Sequence, residues 1–338
     1  MNTSANRSAE TWLIVGLSVA TLVGLFVAVL LGSTALPADR IVAALIGAGT
    51  PGDAIVVWEI RLPRALAAML VGLALGVSGA ALQGLLRNPL AEPGVLGVSA
   101  SASLGATVVI YYGLAASSAF AIPLAAAGAA ILATLLLAAT AARVQSVVTL
   151  ILIGVGVSSF IGALMTLLMN LAPNPFSLAD MINWMLGTVA NRSFRDIALA
   201  LPFMATGIGV LFFARRSLTA LSLGEEAAYA LGVNLRQARL TTIIGAGLAT
   251  GGAVALAGAV GFVGIVAPHL VRPSVRHDPA RTLLPAGMLG GVLLLVADIG
   301  VRVLPTSSEL KLGVVAALAG APVFAWIALR RRAGGFSS

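Results

Sequence analysis

Ser217-Leu-Thr-Ala-Leu-Ser-Leu-Gly-Glu-Glu-Ala-Ala-Tyr-Ala-Leu-Gly-Val-Asn-Leu-Arg-Gln-Ala-Arg239 is a water-compatible segment in the middle of an otherwise oily chain. Its composition predicts two short helices broken at Gly232, a residue suited to a helix C-terminus. Glu225 and Glu226 directly follow Gly224, and acidic side chains suit the positive end of a helix. Leu223, Ala227, Ala230 and Leu231 recur at helical spacing and give a small apolar face beside a charged one. A bilayer crossing needs roughly 20 apolar residues, so neither short helix can span. The segment is expected to lie against a partner, as a handle by which another protein moves this one. The alternative is a solvated linker between two membrane halves.

Outward from that stretch the chain is nearly all membrane-compatible. Of its 338 residues 59% are apolar and only 9% charged, against about 25% charged in soluble domains. The apolar runs are too long and too weakly alternating for barrel strands. The expected fold is therefore an all-α integral membrane protein. Ten apolar segments are read: 12–31, 65–86, 96–114, 120–142, 147–168, 197–213, 240–256, 260–270, 283–301 and 312–329. The seventh and eighth nearly touch at Gly258 and Gly261. A bent hairpin fits those glycines, and so does a broken helix opening into a cavity. The whole chain, 1–338, reads as a single transmembrane domain with the 217–239 segment between its halves.

The net charge of +8 is almost entirely arginine, with Lys311 the only lysine. In a soluble protein that balance would suggest nucleic acid; here the arginines punctuate apolar segments and read as topology signals, with no nucleic-acid partner. If the N-terminus faces the cytoplasm, the inner loops and ends hold Arg7, Arg87, Arg143, Arg215, Arg216, Arg236, Arg239, Arg272, Arg276, Arg281 and Arg330 to Arg332. That is 13 of the 20 basic residues. The bias predicts both termini and the handle on the cytoplasmic side of the inner membrane. On the other side, 38–46 after Pro37 reads as a short amphipathic helix. So does 178–189, which places Met181, Trp184 and Met185 on one side, lying at the membrane surface.

A weak internal repeat is also present. At an offset of 175 residues Arg64 matches Arg239, Gly72-Leu73-Ala74 matches Gly247-Leu248-Ala249, Gly76 matches Gly251, Ala80 matches Ala255 and Pro93 matches Pro268. Five spans separate the matched helices, so the second copy is inverted in the membrane, a pattern of transporters.

No catalytic set is found. The two histidines, His269 and His277, have no cysteine to join them in a metal site. Lys311 stands in no phosphate-binding loop, so the chain hydrolyses no nucleotide itself. No metal site, cofactor or catalytic residue is expected. Asp298, Glu92 and His269 are the ionisable residues nearest the spans, but they sit near span ends, where an anchoring role suits them better than a proton relay. Asn88-Pro89-Leu90-Ala91-Glu92-Pro93-Gly94 joins the second and third spans, and its prolines and glycine deny it regular helix. Irregular backbone at that depth must be buried in protein or line a water-filled path. Asn88, Leu90 and Ser146 are the candidate gate at its inner mouth.

Arg61-Leu62-Pro63-Arg64, the Asn88–Gly94 stretch, Leu96-Gly97-Val98-Ser99, Gly258 to Arg272 ending Ala267-Pro268-His269-Leu270-Val271-Arg272, and Leu283-Leu284-Pro285 together resemble the FecCD-type permeases of binding-protein-dependent ABC importers. Ala297-Asp298 to Arg302 and the tail from Gly313-Val314-Val315 through Gly320-Ala321-Pro322-Val323-Phe324 extend the resemblance over nearly the whole chain from Arg61. Lys311 departs from it, standing where the family commonly has proline. The resemblance implies a ten-span subunit paired with a second copy around a central pore. Two cytoplasmic ATP-binding subunits would dock on Gly224, Glu225, Glu226, Ala227, Leu231 and Gly232. A soluble substrate-binding protein would deliver an iron–siderophore complex, haem or cobalamin from outside. Arg61, Arg64 and Arg302 are the candidate seat for acidic residues on that protein. The rival reading is an ion-coupled secondary transporter or channel, against which the scarcity of intramembrane charge speaks; a membrane enzyme lacks any acid–base or metal set.

Overall fold

The computed structural model describes residues 3–32, 36–144, 146–304 and 309–334, with side chains from Ser8 to Ala325 within those ranges. Arg7 and Arg330 to Arg332, counted above for orientation, fall outside the described side chains. The chain is helical throughout the described residues, as the composition predicts. In order the helices are α1 (Thr3–Leu30), α2 (Ala38–Leu45), α3 (Pro51–Ala54), α4 (Leu62–Leu85), α5 (Val98–Tyr111), α6 (Ala121–Ala141), α7 (Val147–Asn170), α8 (Pro175–Met185), α9 (Phe194–Ser222), α10 (Glu225–Ala230), α11 (Leu235–Ala257), α12 (Val263–Val271), α13 (Pro279–Val303) and α14 (Leu312–Gly334). A π-helical turn, Ile55–Arg61, joins α3 to α4 without a break. Seven helical stretches are long and apolar enough to cross a membrane. The remaining three of the ten expected segments fall on α5, α12 and α14.

Polar side chains set where these helices start. Ser146, Asn174, Ser193, Asn234 and Asp278 each precede a helix and accept a backbone N–H from its first turn, each contact worth about 1 kcal/mol. Ser193 and Asp196 cap each other reciprocally. The two amphipathic surface helices expected at 38–46 and 178–189 are α2, which buries Ile41 and Ala44, and α8, which buries Met181 and Trp184.

At the centre lie α4 and α11, each with 78% of its apolar span buried, while α1 and α7 at the rim bury 17% of theirs. Small residues make the centre possible. A Cβ on Gly72 would fall 2.1 Å from the Gly290 carbonyl oxygen of α13, and one on Gly76 2.2 Å from that of Ala286. At the matched positions on α11, a Cβ on Gly247 would meet Thr134 of α6, and one on Gly251 would meet Ala130. The partner residues are four apart on α13 and again on α6. The repeat read from identities thus reappears as repeated packing: α4 on α13, α11 on α6.

The helix that begins at Leu235 ends at Gly258, which adopts φ +71, and resumes as α12 only at Val263. Of the two arrangements the glycines allow, this is the broken helix. Thr188 donates its N–H to the Ala257 carbonyl at 2.7 Å, and Gly313 donates to Gly187 at 3.2 Å. The break is therefore tied to the end of α8 and the start of α14.

Candidate functional site

The handle holds one short helix, where the sequence suggested two. Ser217–Ser222 continues α9, α10 covers Glu225–Ala230, and Asn234 already caps α11. Gly224 (φ +108) and Gly232 (φ +81) make the turns on either side, conformations that disfavour a side chain. The apolar face also differs from the expected one. Ala228 is fully buried and Ala227 half-buried, whereas Leu223, Tyr229 and Leu231 are 67%, 74% and 66% exposed. A six-residue helix lying on α9 and α11 has room beneath it only for alanine, so its larger apolar groups point outward beside Glu226. Tyr229 was missed by the helical-spacing argument, which looks for residues on the buried side.

Glu225 turns back under α10 and pairs with Arg239 at 2.8 Å. Arg239 is 8% exposed, and its other terminal nitrogen donates to the Val144 carbonyl at 3.4 Å. Val144 lies in the tight connection between α6 and α7, two residues before Ser146. Ser146 itself is exposed and caps α7 by accepting the Thr149 N–H at 3.3 Å. One guanidinium thus joins the handle to the start of α7.

Asn88 and Leu90 are half-buried in a turn in which the Leu90 N–H donates to the Asn88 side chain at 3.0 Å. The rest of that irregular stretch is seated on α7. Ser158 donates to the Gly94 carbonyl at 3.3 Å, and a Cβ on Gly154 would fall 2.9 Å from the Val95 oxygen. The second irregular stretch, between α11 and α12, meets the first. Glu92, Pro93 and Ser99 from one side and Val260 and Gly261 from the other line a single crevice of about 100 Å³. Both interrupted segments therefore open on one space.

At the opposite end of the bundle Arg61, Arg64 and Arg302 do converge, but inward. Arg61 is 3% exposed and donates to the Val29 and Leu30 carbonyls at 2.8 Å. Arg302 donates to Ala28 at 2.8 Å and Leu31 at 3.0 Å, and pairs with Asp298 at 3.0 Å. Arg64 pairs with Asp298 at 2.8 Å and with Glu309. All three guanidinium groups, the candidate seat for a binding protein, are thus engaged within the protein. The four carbonyls left over at the end of α1 need donors, Asp298 is 1% exposed and needs counter-charge, and the arginines supply both. Three guanidinium groups against two carboxylates leave the cluster one positive charge in excess, and Glu309, with its side chain 41% exposed, is the member at the surface.

Comparison with known proteins agrees with this architecture. Residues 20–330 match the FecCD transport family. The chain is 40% identical over 297 residues to an uncharacterised ABC transporter permease, YvrB, of Bacillus subtilis, covering 86% of this chain and 84% of that protein. It is 37% identical over 330 residues to the vitamin B12 import permease BtuC of Klebsiella pneumoniae, covering 97% and 96%. An inward-facing structure of a metal-chelate type ABC transporter superposes with a TM-score of 0.83 at 28% identity, over 94% of this chain and 98% of that one. A helical membrane bundle with a matched pair of glycine-packed central helices, aligned from end to end with such permeases, belongs to the FecCD transport family and is a multi-pass ABC-importer permease of that type.

Proposed function

We propose that the chain carries a metal chelate across the cytoplasmic membrane, driven by two copies of a separate ATP-binding subunit docked on Gly224, Glu225, Glu226, Ala227, Leu231 and Gly232. The observation that supports this most directly is the Glu225–Arg239–Val144 link. A push on α10 reaches the connection before Ser146 through a partly buried ion pair. Asn88, Leu90 and Ser146 would then change exposure as the pathway opens at the handle end. A second copy of this chain completes the pathway, and a soluble binding protein delivers the substrate to the end held by Arg61, Arg64 and Arg302. In this reading both termini and the handle face the cytoplasm, in keeping with the arginine bias.

For the cargo, the family resemblance favours a ferric siderophore, with haem as another member of the class. Similarity to vitamin B12 import permeases favours cobalamin as the second reading. Uptake into vesicles holding the permease, its ATP-binding subunit and its binding protein tests the scheme. Accumulation should require ATP, and uptake driven by an ion gradient alone would establish a secondary transporter. Competition for the binding protein between ferric siderophore, haem and cobalamin decides the cargo. Because the chain has no cysteine, a single Leu231→Cys change permits crosslinking to cysteines on the ATP-binding subunit. Failure of every position from 223 to 232 to crosslink would move the docking site elsewhere.

A further inference from the structure

Beside the handle lies a polar cavity of about 280 Å³ to which the transport reading gives no task. Arg87, Arg272, His277, Gln83 and the first turn of α13 line it. Three features set it apart. The first is charge: two guanidinium groups and an imidazole face the space, and no carboxylate is among its lining groups. Asp278, next to His277 in the chain, accepts from the Ala280 N–H at 2.9 Å and the Thr219 hydroxyl at 2.8 Å.

The second feature is rigidity behind the charges. Gln83 is 3% exposed, donates to the Gly264 carbonyl at 3.2 Å and accepts from Arg272, which fixes that guanidinium at the cavity wall. The third is backbone. Arg87 (φ +46), Arg276 (φ +55) and His277 (φ +61) all occupy the left-handed region, three of the five non-glycine residues that do so among the described residues. Such conformations cost free energy and cluster where a site is being shaped. The His277 N–H, at 3.0 Å from the Arg272 carbonyl, closes the turn that brings both side chains to one rim. Pro279 and Thr282, from the first turn of the 25-residue α13, complete the wall, while Asp278 already caps that helix.

We infer that this cavity is a binding site for a phosphate group, held by Arg87, Arg272 and His277 at the N-terminus of α13. Guanidinium forks match a tetrahedral oxyanion. The Arg87 Nη1 lies 3.9 Å from where a Cβ on Gly224 would be, so an occupant sits against the turn that opens α10. The phosphate is either a free ion or the headgroup of an anionic lipid, which basic pockets between spans also accept.

Orthophosphate titration of the purified chain in phosphatidylcholine nanodiscs, followed by calorimetry, tests the site. The expected result is one saturable site per chain, weakened at least tenfold in an Arg87→Gln, His277→Gln double variant. Both residues are exposed, and gel filtration checks that the variant folds. Arg215→Gln, Arg216→Gln removes charge from the same end of the bundle at another cavity and should leave the affinity unchanged. Repeating the titration with phosphatidylglycerol in the nanodisc separates the sources. A headgroup occupant lowers the apparent phosphate affinity there, and a free-ion site is indifferent to the lipid. Absence of saturable binding in phosphatidylcholine, or equal losses in the two double variants, overturns the site. Neither result bears on whether the chain transports its cargo.

Discussion

Asp298 faces two guanidinium groups at once, Arg64 and Arg302, while being 1% exposed itself. Removing one partner of a buried ion pair leaves the others uncompensated, at a cost of about 3–5 kcal/mol. Asp298→Ala should therefore lower the thermal unfolding midpoint in detergent sharply, and Asp298→Asn nearly as much, because the volume is kept but the charge is lost. A midpoint unchanged in both would mean that the α1 carbonyls and Glu309 hold the arginines without Asp298. The sequence marked all three arginines as special through their place at helix ends. It did not show their direction. The residue that turns Arg64 inward is 234 positions away, and Arg61 reaches carbonyls 31 and 32 positions back. Local spacing says which side of a helix a side chain leaves from, and only the fold says what waits there.

The helices were the most legible level, since each of the ten apolar runs falls on one helix, and the repeat's glycines lie where α4 and α11 pack closely. Gly79, outside that set, tests the close packing of α4 on α12. A Cβ there would lie 1.9 Å from the Gly264 carbonyl oxygen, a backbone atom that cannot rotate away. Gly79→Ala should cost about 1–3 kcal/mol or more through overpacking, read as a lower unfolding midpoint. Gly16→Ala, with nothing within 4 Å of its Cβ position, should leave the midpoint unchanged. What failed at this level was the handle. Helical spacing cannot tell the end of one long helix from a short helix of its own, so α9 and α11 were read too short. Arg239 tests what the handle does. Arg239→Gln and Glu225→Gln should each reduce ATP-driven uptake while leaving ATP hydrolysis running, and the double change should be no worse than either single one, as expected for residues in one contact. Additive losses would show that the two act separately and that the 2.8 Å pair transmits nothing.

At the scale of the whole molecule the two ends repeat one device. Arg64 and Arg239, 175 positions apart, stand near the N-terminal ends of α4 and α11, are 9% and 8% exposed, and each holds a carboxylate brought in from another segment. At the handle end that carboxylate is Glu225, on the element proposed to meet the ATP-binding subunit. At the other end it is Glu309, close to the start of α14, beside the surface proposed to meet the binding protein. The parallel suggests how a buried arginine can still take part in docking: an incoming acidic group competes with Glu309 for Arg64 while Asp298 keeps the guanidinium in place. Reversing Arg61 and Arg64 to glutamate would put new negative charge beside Asp298 and unfold that end. Glu309→Gln is the informative change, because it removes the competitor and leaves the buried cluster intact. Partly exposed pairs are worth about 0.2–1 kcal/mol, so the variant should bind the loaded binding protein up to about fivefold more tightly, with a steeper loss of affinity as salt is raised. Docking that weakens in Glu309→Gln would show that Glu309 itself contacts the partner, and docking with wild-type affinity and salt dependence would place the seat away from Arg64.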